Sequence, residues 1–225
     1  MTLLSQLHPI SLREQVVEEV RTAIIEGRLK PNDHITEATL TSQLGVSRTP
    51  VREALILLER EGLVFASPNR GCFVRAFTKR DVSEIFSMRT MLENFAGELI
   101  IERLRQEDYD YLHLSIERQR RELQQGDFKQ VRSVDMAFHR YLIEKSSHAL
   151  LIRHWTEIVA QIAALLYLRA EAISNYDEYQ SIDDHTNIVH AYEKHDLNAL
   201  KKLNVQINLR VAGECQQAVA VRDPK

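Results

Sequence analysis

The sequence predicts a mainly α protein in two parts: three short helices closed by a β-hairpin, then an all-α helical bundle domain. Three observations carry that reading. Glycine and proline are scarce, 7 and 5 in 225 residues, so few positions break a helix. Apolar residues recur at helical spacing through most of the chain. The β-prone runs are short and flank a Ser-Pro-Asn-Arg-Gly turn in LVFASPNRGCFV.

Taken in order, ISLREQVVEEVRTAIIEGRL sets Leu12, Val16, Val20, Ile24 and Ile25 on one helical stripe, with Ser11 as N-cap and Gly27 past the end. KPNDHI reads as a turn in which Asn32 takes left-handed geometry. TEATLTSQLG is a short helix capped by Thr36 and stopped by Gly45. GVSRTPVREALILLEREGL is a third helix, and the hairpin follows it. That order makes an N-terminal winged helix-turn-helix. From Thr78 onward no strand signal appears. Thr78-x-x-Asp81 is a capping box with Asp in place of Glu, opening a helix to about Leu104. Asp108 to Gln124 is a second helix, closed by Gly126, and Asp127 caps a third to about Lys145. HALLIRHWTEIVAQIAALLYLRAEAI is a fourth, apolar on most faces and therefore expected at the centre of the bundle. Tyr176 to His195 holds a fifth, Asp196 caps the last to about Ala218, and the tail VRDPK is expected to fray. The boundary falls near Ala76–Thr78, giving domains 1–77 and 78–225.

Composition narrows the class of function. Hydrophobic residues make up 44% and charged residues 27%, ordinary for a globular chain. No apolar run approaches the ~20 residues that span a bilayer, and the N-terminus lacks a basic segment followed by a long apolar one. Cys72 and Cys215 make no disulfide framework. The expectation is a cytoplasmic protein with no membrane partner. Net charge is −3, and residues 1–77 hold nine Lys+Arg against nine Asp+Glu. A nucleic-acid contact would therefore depend on local arrangement of cations, not on bulk charge.

The third helix supplies such an arrangement. Val51, Ala54, Leu55 and Leu58 form its inward stripe, while Arg48 and Arg52 lie one turn apart on another face. Ser47, Arg48 and Thr49 cluster at the N-terminal end, where backbone N–H groups are free and the dipole is positive. Pro50 fits there because the first-turn N–H groups have no helical acceptor. A recognition helix enters the major groove with its N-terminal residues toward the bases, where arginine matches guanine O6 and N7. At the hairpin tip Asn69, Arg70 and Gly71 could reach a neighbouring groove or the backbone. The bland alternative is a solvated helix whose arginines pair with Glu53 or Glu59.

The stretch LTSQLGVSRTPVREALILLEREGLVFASPNRGCFV resembles the DNA-binding domain of GntR-family transcription regulators, and the resemblance covers residues 11–75. It implies DNA contacts from Ser47, Arg48, Thr49 and Arg52, with Arg70 and Gly71 on the wing. Asn32 stands where the family often has glycine. The helical half is similar to the FadR-like subgroup, whose domain is labelled FCD. MRTMLENFAGEL matches an Arg-x-x-Leu-Glu pattern at Arg89 and Glu93, DMAFHRYL matches Asp-x-x-Phe-His-x-x-Leu, and His185 stands eleven residues before Asp196.

Read as chemistry, Asp135 and His139 are i,i+4 on one helix face and can converge on one ion. With His185 from another helix they could hold a divalent metal such as zinc, leaving room for water or a carboxylate. The resemblance implies a further histidine 22 residues after His185, but that position is Ile207, flanked by Gln206 and Asn208. Arg89 could fork onto the carboxylate of a small metabolite, or pair with Glu93 one turn along. The expectation is a homodimeric transcription regulator, a repressor more than an activator. It would bind a double-stranded DNA operator with an affinity tuned by a small carboxylate-type metabolite, and it would not be an enzyme. Two rivals stand beside it. One is a metal-dependent enzyme using Asp135, His139 and His185 to activate water. The other is an architectural DNA-binding protein with no effector, which should be more basic than −3.

Overall fold

The computed structural model describes residues 11–67, 70–173 and 177–222. The chain divides into two compact units, Met1–Ala76 and Phe77–Lys225.

In the first unit, Ser11 and Glu14 cap each other reciprocally and start α1 (Leu12–Ile25). Its inward stripe is Val16, Val17, Val20, Ala23 and Ile24. Leu12, placed on that stripe by its spacing, is instead exposed. Asn32 adopts φ +70, the left-handed geometry expected of it. The segment read as a plain turn also contains β1 (His34–Ile35). Two residues carry no periodicity, so only pairing reveals this strand. Thr36 accepts a hydrogen bond from Thr39 N and starts α2 (Glu37–Leu44), which ends at Gly45 with φ +66. α3 (Arg48–Arg60) follows after three residues, Gly45, Val46 and Ser47. Val51, Ala54 and Leu58 are fully buried, and Leu55 is half-buried at the margin of that stripe. β2 (Val64–Ser67) and β3 (Gly71–Val74) form the hairpin. The sheet order is β1-β3-β2, all antiparallel, with Phe65 opposite Phe73 and Ile35 opposite Cys72. This is a winged helix-turn-helix. Of the expected wing tip, Asn69 lies outside the described residues.

Every regular element among the described residues of the second unit is a helix. Thr78 and Asp81 form the expected reciprocal cap and open α4 (Lys79–Ile100). α5 (Gln106–Gln124) starts two residues before the sequence expectation, and Asp108 accepts from Arg105 N across its first turn. Asp127 caps α6 (Phe128–Lys145). α7 (Ala149–Ala172), α8 (Tyr179–Glu193) and α9 (Leu197–Arg222) complete the unit.

α7 is long and apolar enough to cross a membrane by length and composition, which amends the expectation that no run approaches that size. Nor does it hold the centre alone. α4, α7 and α9 pack against one another, and α7 exposes Arg153, His154, Thr156 and Glu157 on its outer face. α4 and α9 approach closely at Gly97, where an added Cβ would lie 2.7 Å from Leu200. A core of Ile100, Leu112, Phe138, Ile182, Tyr192 and Leu200 joins α4, α5, α6, α8 and α9. Side chains that project from these packed helices into the unit hold fixed relative positions.

Candidate functional site

The outer face of α3 presents the sequence-predicted DNA residues to solvent. Ser47, Arg48, Thr49 and Arg52 are all exposed, as are Arg70 and Gly71. Ser47 occupies the N-cap position, but its side chain makes no capping bond, so the hydroxyl remains available to an external acceptor or donor. Neither arginine takes the bland partners. Glu59 accepts from Ala66 N instead, tying α3 to the wing. Arg52 Nε donates to both carboxylate oxygens of Glu37, each at 2.8 Å. Arg48 has no ion-pair partner among the described residues. Gly71 has φ +94, and an added Cβ would lie 2.5 Å from His34 Nε2. His34 stacks on Phe73 at 4.8 Å, and Phe73 on Phe65 at 5.6 Å, so the wing carries a short aromatic ladder below Arg70.

In the helical unit, Asp135 and His139 on α6 and His185 on α8 do come together, with one potential ligand atom from each within 4.8 Å of the others. The hydrogen bonds around them decide which ring nitrogens carry the protons. Ser181 Oγ donates to the Glu178 carbonyl at 2.9 Å, so it can only accept from Gln119 Nε2, at 3.0 Å. That fixes Gln119 Oε1 as the acceptor for His185 Nδ1–H at 2.8 Å. On the other side, His139 Nδ1 donates to Glu93 Oε1 at 2.9 Å. Both rings therefore turn Nε2 toward each other, 3.2 Å apart, with Asp135 Oδ1 at 3.4 Å from His185 Nε2. Two facing lone pairs need a positive centre between them, a shared proton or a metal ion. Two imidazole nitrogens on one tetrahedral zinc would stand about 3.3 Å apart, so the donor set fits a divalent metal.

Charge pairing points the same way. Arg89 Nε donates to Glu93 Oε1 at 2.9 Å, and both side chains are buried. The ion pair named as the alternative for Arg89 is thus the one formed. Arg132 pairs with Glu178, Arg169 with Glu214, and Arg210 with both Asp184 and Glu214. Asp135 alone of these carboxylates forms no ion pair with a guanidinium among the described residues. Burial pushes its carboxyl up, but His185, His139, Arg89 and Arg169 outweigh that and hold it below the usual range. For Glu93 burial is likewise outweighed, by Arg89 and His139. Burial, with His139 and Arg89 adding to it, outweighs the opposing pull of Asp135 and Glu93 and pushes His185 down to about 3, which leaves that ring neutral near pH 7 and able to ligate.

A cavity of about 30 Å³ adjoins the cluster, lined by residues that include Asp135, His139, His185, Arg132, Arg210 and Ile207. Ile207, at the expected histidine position, thus faces the cavity but offers no donor. Asn208 instead gives Nδ2 to Glu93 Oε2 at 2.8 Å and braces the partner of His139. Sequence reasoning missed Gln119, Ser181, Arg132 and Arg210. Arg132 lies three residues before Asp135 and Arg210 three after Ile207, a helical spacing that could have flagged both.

The profile described as "Bacterial regulatory proteins, gntR family" matches residues 12–74, and the FCD domain profile matches residues 84–207. The chain belongs to the GntR family. Its GntR segment ends at the last residue of β3, and its FCD segment contains every member of the Asp135 cluster. GntR-family relatives agree along most of the chain. The HTH-type transcriptional regulator YdhC of Bacillus subtilis is 30% identical over 154 residues, covering 68% of this chain and 67% of that one. The gluconate operon transcriptional repressor of Bacillus licheniformis is 26% identical over 195 residues, covering 84% and 78%. Among solved structures, McbR/YncC of Escherichia coli superposes with a TM-score of 0.80 at 25% identity, covering 93% of this chain and 99% of that one. This GntR-family chain is a DNA-binding transcription regulator with a helical ligand-binding domain.

Proposed function

We propose that the protein is a homodimeric transcriptional repressor that releases its operator when a small anionic metabolite binds in the helical domain. Residues 1–77 read double-stranded DNA, and residues 78–225 bind the effector and dimerise. Ser47, Arg48, Thr49 and Arg52 contact the major groove, and Arg70 and Gly71 bring the wing to a neighbouring groove or phosphate. Two such heads suit a pseudo-palindromic operator. The similarity to proteins named as operon repressors supports the sign of the response.

The observation that carries the effector half is Asp135, a carboxylate with no guanidinium ion pair among the described residues, set beside two inward imidazole nitrogens and a small cavity. Asp135, His139 and His185 would hold a divalent cation such as zinc, which supplies a positive centre for a carboxylate. Arg132 and Arg210 are ion-paired as Arg89 is, but they are partly exposed at the cavity and so orient the rest of the anion more readily than Arg89, which is buried against Glu93. A cavity of about 30 Å³ admits only one or two small groups, so the effector is compact or widens the site as it enters. Binding changes operator affinity only to the extent that the DNA-bound and free states hold the effector unequally.

Two measurements test this. Arg48→Ala or Arg52→Ala should abolish the operator footprint at moderate salt, and a variant that still protects the site sinks the recognition-helix assignment. Metal analysis of the purified protein, with a thermal-shift screen of small carboxylates, tests the pocket. A metal-free protein indifferent to every acid removes it.

A further inference from the structure

The geometry points to Glu37 as a positioning residue that presets Arg52 for end-on recognition of a guanine. It rests on the reading of Arg52 as a base-contacting side chain and adds the group that aims it. Glu37 is the first residue of α2, and its carboxylate takes the Arg52 Nε–H with both oxygens at 2.8 Å. A guanidinium has two bidentate edges, one built on Nε and one on the paired terminal nitrogens. Glu37 occupies the first. The four terminal N–H groups have no acceptor among the described residues, so the end-on edge is the one left to match guanine O6 and N7.

Holding the fold is a poor explanation for this pair. The Arg52 and Glu37 side chains are 60% and 35% exposed, and such surface pairs add little to stability. The packing of α3 is already set by Val51, Ala54 and Leu58, all at 0% exposure. A negative charge on a surface meant for DNA also works against phosphate attraction, so it is an odd choice unless it serves discrimination. Arg48, one turn back, has no such tether among the described residues. The two arginines therefore differ: Arg52 is aimed before DNA arrives, whereas Arg48 is free to follow whatever phosphate or base it meets.

The test uses the full-length protein and a randomised duplex pool, from which wild type, Glu37→Ala, Glu37→Gln, Arg52→Ala and Arg48→Ala each select binding sites. Wild type should enrich a guanine in each half-site, and Arg52→Ala should lose it. Glu37→Ala should lower preference for that guanine about tenfold. At the same time its affinity for unselected DNA should rise and its salt slope steepen by about one. Glu37→Gln keeps one acceptor and should fall between. Thermal midpoints of the Glu37 variants should stay within a few degrees of wild type, confirming intact folds. An unchanged guanine preference in Glu37→Ala overturns the proposal. So does an equal loss of affinity for selected and unselected DNA, which would mark the pair as a simple tie between α2 and α3. Arg52→Ala retaining the guanine would instead overturn the assignment of Arg52, independently of Glu37.

Discussion

His139 gives its Nδ1 proton to Glu93 at 2.9 Å, and the same carboxylate oxygen accepts from Arg89. One acid thus sets the tautomer of a candidate ligand and neutralises a buried guanidinium. Glu93→Gln should weaken metal binding by 10- to 100-fold, the usual cost of losing an outer-shell partner. Competition with a chromophoric chelator reads this directly. Equal affinity in the variant would show that Glu93 does not orient the ring.

Asp108 carries a pH prediction. Burial raises its carboxyl, but Lys145, the Arg105 backbone N–H and the Tyr141 hydroxyl outweigh that and bring it to about 2. The unfolded value is about 3.9. A depressed acid contributes stability above the unfolded value, and that contribution is lost as pH falls through the folded one. The wild-type urea midpoint should therefore fall between roughly pH 4 and pH 2, and Asp108→Asn should be less stable than wild type at pH 7 by about 1.5–3 kcal/mol, with a flatter acid limb. Parallel acid limbs in the two proteins would contradict this.

Much of the fold was legible because its signals are local. Ser11 with Glu14, Thr78 with Asp81, and Gly45 at φ +66 each act within a single turn of helix, where spacing alone reveals them. The Asp135–His139 face was legible for the same reason. β1 was not, since two residues become a strand only when Ile35 finds Cys72 across the sheet. Gln119 was hidden too: it meets His185 from 66 residues away, and no sequence pattern links α5 to α8. For Arg89 the spacing offered both an anion and Glu93 as partners, and only the packed structure shows the second contact made.

Gly71 should tolerate no side chain without cost. Alanine would have to adopt φ +94 and push aside the His34 ring, so Gly71→Ala should lose about 1–2 kcal/mol from backbone strain alone. Adding His34→Ala should recover only the ring's share. Urea titration of both variants separates the two parts, and a neutral Gly71→Ala would refute the strained geometry.

The thiols should be sluggish. Burial and the Glu59 charge push Cys72 up to about 11, and burial pushes Cys215 up to about 12. At pH 8 a disulfide reagent should label both slowly in the native protein and rapidly in urea, because the thiolate is the reactive form. Fast native labelling at that pH would count against both shifts.

The Ser181 hydroxyl leans on the Glu178 carbonyl, and through Gln119 that single rotor dictates whether the inward Nε2 of His185 carries a proton or a lone pair. Ser181→Ala would leave Asp135, His139 and His185 untouched, yet Gln119 could then turn its amide over and reverse the polarity of the whole chain. A protein so altered would retain every residue by which the cluster is recognised in a sequence and still offer an N–H where an ion needs a lone pair.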